Sequence, residues 1–252
     1  MLNWLKSSPI AHRGYFNNIT IIENTLEAFN EAIKNKFDIE LDVQLSKDLE
    51  VVVAHDLHLK RIAHIDQKII DLNYIDLKKI KLMNNETHIP LFKDVLKLVN
   101  GQVNLIIELK SIDKKHNQIL VNKVLELLKN YQGQYVIQSF DPLLMYKVRK
   151  KDPKIIRGQL VYDFKDKKMP KLVKLALTKM WTNILSKPNY LNTDIHFSNK
   201  VIKRYLKKDK PVISFTAKNR EDYQYYLQIY DNVIFEGFDP REIFNEQMIL
   251  QK

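Results

Sequence analysis

Short apolar runs alternate along this chain with longer amphipathic stretches, and this alternation constrains the fold more than any other feature. The runs, rich in β-branched residues, are 9–11, 37–43, 51–54, 103–109, 135–138, 155–161, 189–192, 211–215 and 232–235. The helical patterns are 25–35, 92–99, 116–130, 142–150, 168–185, 200–207 and 220–229. Apolar strands that alternate with amphipathic helices are typical of a parallel sheet buried on both faces.

The number of these units predicts a barrel. When 37–43 and 51–54 are taken as one strand region, eight strand–helix units remain, which is the number in a (β/α)₈ TIM barrel. The length of 252 residues is also normal for that fold. We therefore predict a single (β/α)₈ domain over 1–252, with a small insertion at 56–90, after the second strand region, where the apolar pattern becomes short and irregular.

Composition narrows the location of the protein. The chain has no cysteine, so disulfides and thiolate metal sites are excluded. Its first residues lack the basic and apolar regions of a signal peptide. No apolar stretch approaches the roughly 18 residues that a membrane-spanning helix needs. These features predict a cytoplasmic protein without stable membrane insertion.

The formal net charge of +11 favours anionic partners. The basic residues are scattered along the chain, so a solvated basic surface is a better interpretation than a nucleic-acid site, and we predict no nucleic-acid partner. The stretch from Lys171 to Lys187 is basic and contains Trp181. Its apolar positions wrap widely, which favours an outer barrel helix. Weak peripheral contact with an anionic membrane is the alternative.

Charged and imidazole side chains gather at the carboxyl ends of the predicted strands. They are His12, Arg13, Glu40, Asp42, His55, Glu108 and Lys110. In an α/β barrel these strand ends surround the active site. We therefore expect the seven side chains to form one site.

The carboxylates of this set predict a metal site. Glu40 and Asp42 are two positions apart on one strand, so they project to the same side, about 7 Å apart. Two inward-facing carboxylates repel each other unless a cation or a proton intervenes. Together with Glu108 they suit one hard divalent cation, Mg²⁺ or Ca²⁺.

The remaining side chains suit phosphodiester cleavage. His12 and His55 can act as general acid and general base. Arg13 and Lys110 supply positive charge for an anionic substrate, although Lys110 can also simply neutralise Glu108. A cation, an acid/base pair and an arginine together neutralise phosphoryl oxygens and protonate a leaving oxygen.

The same residues belong to a longer ordered motif. It comprises His12-Arg13-Gly14, Glu23-Asn24-Thr25 with Ala28-Phe29, Glu40-Leu41-Asp42-Val43, His55-Asp56, Ile89-Pro90-Leu91, Glu108-Leu109-Lys110 and Gln138-Ser139-Phe140-Asp141-Pro142. In this order and spacing the chain resembles the glycerophosphodiester phosphodiesterase family. Asn24 also fits a helix N-cap, with Glu27 completing a capping box, so capping and a role on the substrate side stay equal alternatives.

The resemblance implies a (β/α)₈ barrel that hydrolyses glycerophosphodiesters, such as glycerophosphocholine, to sn-glycerol 3-phosphate and an alcohol. It implies metal ligation by Glu40, Asp42 and Glu108. It also implies acid/base catalysis by His12 and His55, with their individual roles left open, and phosphate contact by Arg13 and Lys110.

Three departures from the family pattern bear on substrate range. Phe215 stands where the family has a tryptophan, so it would line the glycerol pocket without an indole donor. Glu236 stands where aspartate is usual, and Arg61 is followed by Ile62 and Ala63 instead of two threonines. Two alternatives therefore stay open. One is a phosphodiesterase of the same fold that acts on lysophospholipid or sphingolipid, and the other is a non-catalytic barrel that binds a phosphorylated ligand.

Overall fold

A computed structural model describes residues 2–83, 86–165, 168–208 and 210–250. Its strands are β1 (Ile10–Ala11), β2 (Asp38–Leu45), β3 (Val51–Val53), β4 (Leu105–Leu109), β5 (Tyr135–Ser139), β6 (Arg157–Val161), β7 (Tyr190–Asp194), β8 (Val212–Ala217) and β9 (Asn232–Phe235). Its α-helices are α1 (Leu26–Lys34), α2 (Lys60–Ala63), α3 (Tyr74–Leu77), α4 (Phe92–Val99), α5 (Lys114–Leu128), α6 (Pro142–Lys151), α7 (Lys171–Thr178), α8 (Asn183–Ser186), α9 (Lys200–Lys207), α10 (Arg220–Leu227) and α11 (Arg241–Leu250). Short 3₁₀ helices cover Asn3–Lys6 and Ile69–Asp71.

The strand order is β1-β9-β8-β7-β6-β5-β4-β2-β3, with an additional pairing of β1 with β2. Apart from β3, this is the order of an eight-stranded (β/α)₈ barrel, in which each strand neighbours the next along the chain. The predicted fold class is confirmed.

The two apolar runs that we took as one strand region are two strands, which corrects that detail of the prediction. β3 pairs antiparallel with β2, with Leu45 opposite Val51. The chain reverses between them in a tight turn, where the Ser46 and Leu49 amides donate to the Glu50 and Ser46 carbonyls and Leu49 has a left-handed φ of 64°. The count of eight barrel strands is unchanged, because β3 lies beside β2 at the end of the strand order.

By its contacts the chain divides into two compact units, and 11–135 is one of them. Here β2 and β4 are parallel and fully buried. β2 carries apolar side chains at alternate positions, among them Leu41 and Val43, while Glu40, Asp42 and Gln44 occupy the positions between them. Because side chains of a strand alternate between its faces, β2 presents one apolar face and one polar face.

The segment 56–90 of this unit has its own short helices and a small apolar core. Leu59, Ile62, Ile69 and Leu77 are buried in a cluster that also includes Val52 of β3. Such packing holds the segment against β3, although its helices α2 and α3 have only four residues each. The assignment of 56–90 as an insertion in a single domain stays a prediction.

The other unit comprises 1–10 and 136–252. Its parallel strands β6 to β9 pair in regular register, as in Leu191 opposite Val212. The side-chain amide of Asn232 ties β9 to the N-terminal segment by donating to the carbonyls of Leu5 and Ser8, at 2.8 and 2.9 Å. In the part of the chain that the structure describes, every helix is too short or too polar to cross a membrane.

Candidate active site

The turn after β1 places His12 and Arg13. Arg13 has a left-handed φ of 55°, and Gly14 follows with a φ of +83°. A Cβ at Gly14 would lie 2.8 Å from the carbonyl carbon of Ala28 in α1, so only glycine fits this close approach. The Tyr15 amide donates to the Ala28 carbonyl at 3.0 Å. The glycine therefore lets α1 pack directly against the turn that carries the two polar side chains.

Glu40, Asp42 and Glu108 form a buried acidic triad. Glu40 and Asp42 project from β2, and Glu108 lies opposite Asp42 in the parallel register of β2 and β4. One carboxylate oxygen of each residue lies within 4.8 Å of the others. All three side chains are buried, as an inward-facing strand position requires. The structure thus brings together the three residues that we predicted as metal ligands.

The charges of the triad are only partly balanced. Burial and the neighbouring carboxylates of Asp42 and Glu108 raise the pKa of Glu40 well above its usual range. Burial also raises the pKa of Glu108, and the ammonium of Lys110 offsets this only in part. Burial acts on Asp42 as well, but Lys110 and other nearby cations outweigh it and hold the pKa of Asp42 below its usual range. Without a further cation, one carboxyl group of the triad favours its protonated form.

Lys110 and Arg13 contact the triad directly. The ammonium of Lys110 lies 2.7 Å from Oδ1 of Asp42 and 2.6 Å from Oε1 of Glu108. Burial lowers the pKa of Lys110, but these two carboxylates outweigh it and raise the pKa overall. Nε of Arg13 lies 3.6 Å from Oδ2 of Asp42, and the Arg13 amide donates to Glu40 at 3.3 Å. In this structure both cations therefore neutralise carboxylates.

The donor set fits one divalent cation. Three buried carboxylates that converge within a few ångströms are the ligands that Mg²⁺ and Ca²⁺ prefer. The raised pKa of Glu40 marks a deficit of positive charge at this point. A bound cation would remove that deficit and keep Glu40 ionised.

The two predicted acid/base residues have different surroundings. Nε2 of His12 lies 4.0 Å from Oε2 of Glu40, and the His12 side chain is mostly buried. Nδ1 of His55 lies 2.6 Å from Oδ1 of Asp56, which orients the ring. The Gln44 side chain donates to the carbonyls of Ala54 and Asp56 at 2.8 Å, so the backbone on either side of His55 is held in place. Asp56 thus acts on His55 as the orienting carboxylate of an acid/base residue does.

A second polar cluster lies beside the triad, and its members Glu23, Asp56 and Arg61 were not among our predicted site residues. Arg61 of α2 donates to both oxygens of the buried Glu23 carboxylate, at 2.9 and 2.6 Å, and Arg13 donates to Glu23 at 2.7 Å. Burial raises the pKa of Glu23, but these two arginines outweigh it and lower the pKa to about 2. Nε of Arg61 donates to Asp56 at 2.6 Å. Arg61 therefore connects the partner of His55 with the partner of Arg13.

Asn24 joins the triad instead of capping α1. Its side-chain amide donates to Oδ2 of Asp42 at 2.9 Å, whereas the cap of α1 is Thr25, whose hydroxyl accepts from the Ala28 amide. Of the two alternatives for Asn24, the capping role is wrong. Asn24 has a left-handed φ of 56°, which aims its side chain away from the helix end. In the sequence, Glu23 and Asn24 were visible only as part of the family motif.

Phe215 lies in the other unit, on β8. Its half-buried ring meets Phe140 edge-on, with centroids 5.8 Å apart, and Phe140 also contacts Tyr162 and Phe164. Phe140 follows β5, Tyr162 and Phe164 follow β6, and Phe215 lies within β8. The role of Phe215 as a wall of the glycerol pocket stays a prediction. Glu236 is 3.9 Å from the ammonium of Lys218.

The chain is similar to known proteins over most of its length. The model of the glycerophosphoryl diester phosphodiesterase family matches residues 12–235. A glycerophosphodiester phosphodiesterase of Bacillus altitudinis is 37% identical over 141 residues, which are 52% of this chain and 56% of the relative. The lysophospholipase D GDPD1 of Homo sapiens is 33% identical over 144 residues, which are 52% of this chain and 43% of the relative. The chain spans about half the length of these curated relatives.

A solved structure shows the same fold. A phosphodiesterase of Oleispira antarctica, in complex with the product sn-glycerol-3-phosphate, superposes with a TM-score of 0.77 at 21% sequence identity. The match covers 96% of both chains.

Proposed function

The chain belongs to the glycerophosphoryl diester phosphodiesterase family, and on that premise we propose that it hydrolyses glycerophosphodiesters to sn-glycerol 3-phosphate and an alcohol. The observation that carries the proposal is the buried triad of Glu40, Asp42 and Glu108, with His12 only 4.0 Å from Glu40. Similarity to the Bacillus altitudinis enzyme supports the same reaction. The product bound in the Oleispira antarctica structure is consistent with this substrate class.

In this proposal Glu40, Asp42 and Glu108 hold one divalent cation, Mg²⁺ or Ca²⁺. When bound, the cation neutralises charge that develops on the phosphoryl oxygens. Lys110 is already fixed against two carboxylates, and its third N–H remains for a phosphate oxygen. The guanidinium of Arg13, whose Nε lies 3.6 Å from Asp42, would add a second positive charge beside the same phosphate.

His12 and His55 share the proton transfers. A free hydroxyl of the glycerol attacks the phosphorus, and the bond from the phosphorus to the leaving alcohol breaks, which gives a cyclic phosphate. One histidine removes the proton of that hydroxyl, and the other gives a proton to the leaving alcohol. Water then opens the cyclic phosphate to sn-glycerol 3-phosphate. Asp56 accepts from Nδ1 of His55, so that Nε2 is the atom that exchanges a proton with substrate. His55 and Asp56 line an open hollow together with Lys60 and Arg61, through which a diester can reach them. Which histidine acts as the acid stays open.

The remaining parts of the proposal concern the pocket for the glycerol group, the binding partners and the location of the protein in the cell. Phe215 would contact the glycerol carbons, as the resemblance to the family implies. The substrate is a small phosphodiester, and no nucleic-acid partner is proposed. A cytoplasmic location, predicted from the absence of cysteine, completes the proposal.

The test is the release of sn-glycerol 3-phosphate from glycerophosphocholine. We expect release with Mg²⁺ or Ca²⁺, loss of release with EDTA, and a decrease of about 10²–10⁴-fold in His12→Ala. His196→Ala is the matched control, because His196 is exposed and contacts Tyr226. Release that is indifferent to both EDTA and His12→Ala would refute the proposal. Complete inactivity would favour the non-catalytic phosphate-binding barrel.

A second candidate function is the cleavage of lysophospholipids or sphingolipids by the same site. Similarity to the human lysophospholipase D favours it. The cluster of Phe140, Tyr162, Phe164 and Phe215 adds apolar area that a lipid chain could contact. Comparison of kcat/KM for lysophosphatidylcholine and glycerophosphocholine separates the two candidates. A preference for the lipid that Phe215→Ala reverses would establish the second one.

A further inference from the structure

Helices α7 and α8 expose apolar side chains that the proposed reaction does not use. We call residues 168–187 the α7–α8 surface. None of the eight residues of α7 is buried, although the helix is described in full. The exposed apolar side chains are Leu172, Val173, Leu175, Trp181, Ile184 and Leu185. Leu172 and Ile184 are each 76% exposed, and Trp181 is 60% exposed, so this surface is unlike the covered helix faces of a barrel.

Backbone hydrogen bonds join α7 to α8 through Trp181. The Trp181 amide donates to the Ala176 carbonyl at 2.9 Å, and the Ile184 amide donates to the Trp181 carbonyl at 3.4 Å. Leu177, about 140° round the helix from Leu172, packs against the buried cluster of this unit. Helix α7 therefore packs against the protein through its Leu177 side, and its Leu172 side faces outward.

Within residues 168–187 the charged side chains all have the same sign, and an acidic residue beside α7, Asp163, pairs with Lys165 at 3.1 Å. Residues 168–187 contain five lysines and no acidic residue. Lys171, Lys179 and Lys187 are exposed, whereas Lys174 is half-buried and donates to the Lys165 carbonyl. Long lysine side chains can lie along apolar surface while their ammonium groups stay in water.

Neighbouring segments extend the positive charge. The side-chain amide of Asn199, the cap of α9, donates to the Thr178 carbonyl at 2.8 Å, which places the start of α9 beside the end of α7. Residues 200–208 contain five basic residues and no acidic residue. On the other side, Arg149 of α6 donates to the Leu185 carbonyl at 2.6 Å.

We propose that the α7–α8 surface docks on the anionic headgroups of a phospholipid bilayer, with Leu172, Trp181 and Ile184 entering the interface. Basic residues around exposed leucine, isoleucine and tryptophan are the combination that interfacial helices use, and tryptophan favours the headgroup region. Charge and apolar contacts together favour a bilayer over two other partners, a second copy of the chain and a nucleic acid. A second copy of the same surface would bring like charges together, and a nucleic acid would leave the apolar side chains without contacts.

This inference does not depend on the catalytic proposal, because no residue of the α7–α8 surface belongs to the acidic triad or the histidine pair. It would place the protein at the surface where lipid-derived phosphodiesters form. Failure of the docking experiment would leave the hydrolysis experiment unaffected, and the reverse also holds.

Trp181 supplies a direct readout. The chain has two tryptophans, and the other, Trp4, is buried. In a Trp4→Phe background, emission comes from Trp181 alone. We expect a blue shift with vesicles of phosphatidylglycerol and phosphatidylcholine, and quenching by brominated acyl chains. Vesicles of phosphatidylcholine alone should produce a much smaller change, because they lack the anionic charge.

Vesicle co-sedimentation of matched variants tests the contribution of the lysines and that of the apolar side chains. Lys171→Glu/Lys179→Glu/Lys187→Glu should partition at least about tenfold more weakly onto anionic vesicles. The control Lys93→Glu/Lys115→Glu/Lys129→Glu makes the same change in net charge at exposed lysines of the other unit and should keep binding. Leu172→Ser/Trp181→Ser should also bind more weakly. Its control, Ile19→Ser/Ile75→Ser, removes apolar side chains that are 77% and 61% exposed and should not.

Three results would overturn the proposal. One is an unchanged Trp181 spectrum on anionic vesicles. Another is equal loss of binding in the surface variants and their controls, which would mean that only net charge matters. The third is sedimentation as a dimer that Leu172→Ser/Trp181→Ser converts to a monomer, or binding to duplex DNA that those serines weaken, since either would assign the surface to another occupant.

Discussion

Arg61 holds the buried carboxylate of Glu23 through two hydrogen bonds, although the two residues are 38 positions apart in the chain. The contact ties α2, within the segment 56–90, to the loop that precedes α1. Arg61 also donates to Asp56, the partner of His55. One guanidinium thus holds both a loop of the candidate site and the partner of His55, the residue that we propose as an acid or base.

Replacement of Arg61 by lysine should lower the free energy of unfolding by about 1–2 kcal/mol, because an ammonium cannot reproduce the two parallel N–H···O bonds to the buried Glu23 carboxylate together with the bond to Asp56. Urea unfolding measures the change. Arg220→Lys is the control, since Arg220 pairs with Glu242 at 2.7 Å and both side chains are largely exposed. The control should change stability by less than about 0.5 kcal/mol. Equal effects of the two substitutions would contradict a structural role for the Arg61–Glu23 pair.

Glu23 should make the stability depend on pH below about 5. Its pKa is about 2 in the folded protein and 4.5 as its ordinary value. A lowered pKa stabilises the folded state above the ordinary value, and this stabilisation is lost as the pH falls from 4.5 towards 2. The loss amounts to roughly 3 kcal/mol. Unfolding of the wild type and Glu23→Gln between these pH values measures it. The difference between them should shrink with falling pH, and a constant difference would contradict the prediction.

Glu40→Gln should have opposite effects with and without metal. In EDTA the variant should be more stable than the wild type by about 1 kcal/mol, because a neutral amide removes the free-energy cost of protonating Glu40 or of burying its charge beside Asp42 and Glu108. Added Mg²⁺ or Ca²⁺ should stabilise the wild type, by about 2.7 kcal/mol at about 100 times the Kd, and leave the variant unchanged. Thermal unfolding reports both effects. The exposed Glu126→Gln should behave as the wild type, and stabilisation of Glu40→Gln by metal would argue against the triad as the site.

Most of the acidic triad could be predicted from the sequence because its geometry depends on the local periodicity of strands. The two-residue spacing of Glu40 and Asp42 on an apolar strand places both carboxylates on one face, and the strand register adds Glu108. The contact between Arg61 and Glu23 could not be predicted in this way. It depends on how the short helices of 56–90 fold back, and their apolar residues show no helical period that would place Arg61.

The same limit explains the errors in detail. The run 51–54 reads as a continuation of the second strand by composition, yet a turn at Ser46 to Glu50 makes it a separate antiparallel strand. Asparagine is a common N-cap residue, which is why capping was one of the two alternatives for Asn24. The N-cap of α1 is instead the next residue, Thr25. Tertiary hydrogen bonding to Asp42 overrides the local preference.

Asp56→Asn should lower kcat at least about tenfold without abolishing substrate binding, since the carboxylate holds the His55 ring at 2.6 Å and places a negative charge beside it. The pH profile of kcat should also shift, and a merely structural role would leave that profile unchanged. Asp113→Asn is a close control, because Asp113 makes the same contact with Nδ1 of His116, at 2.5 Å, at the exposed start of α5. A profile that moves equally in the two variants would count against the positioning of His55 by Asp56.

Two glycines with the same φ allow the cost of a steric conflict to be measured separately from the cost of backbone strain. Gly14 and Gly237 both have a φ of +83°, but a Cβ at Gly14 would lie 2.8 Å from the carbonyl carbon of Ala28, whereas a Cβ at Gly237 would meet nothing within 4 Å. Gly237→Ala should therefore cost only the left-handed backbone preference, about 1–2 kcal/mol. Gly14→Ala should cost at least about 2 kcal/mol more, since α1 must move away from the turn that carries His12 and Arg13. Urea unfolding measures both costs, and activity should fall only in Gly14→Ala. Equal destabilisation would mean that backbone strain alone requires glycine after Arg13, and that the contact with α1 can relax.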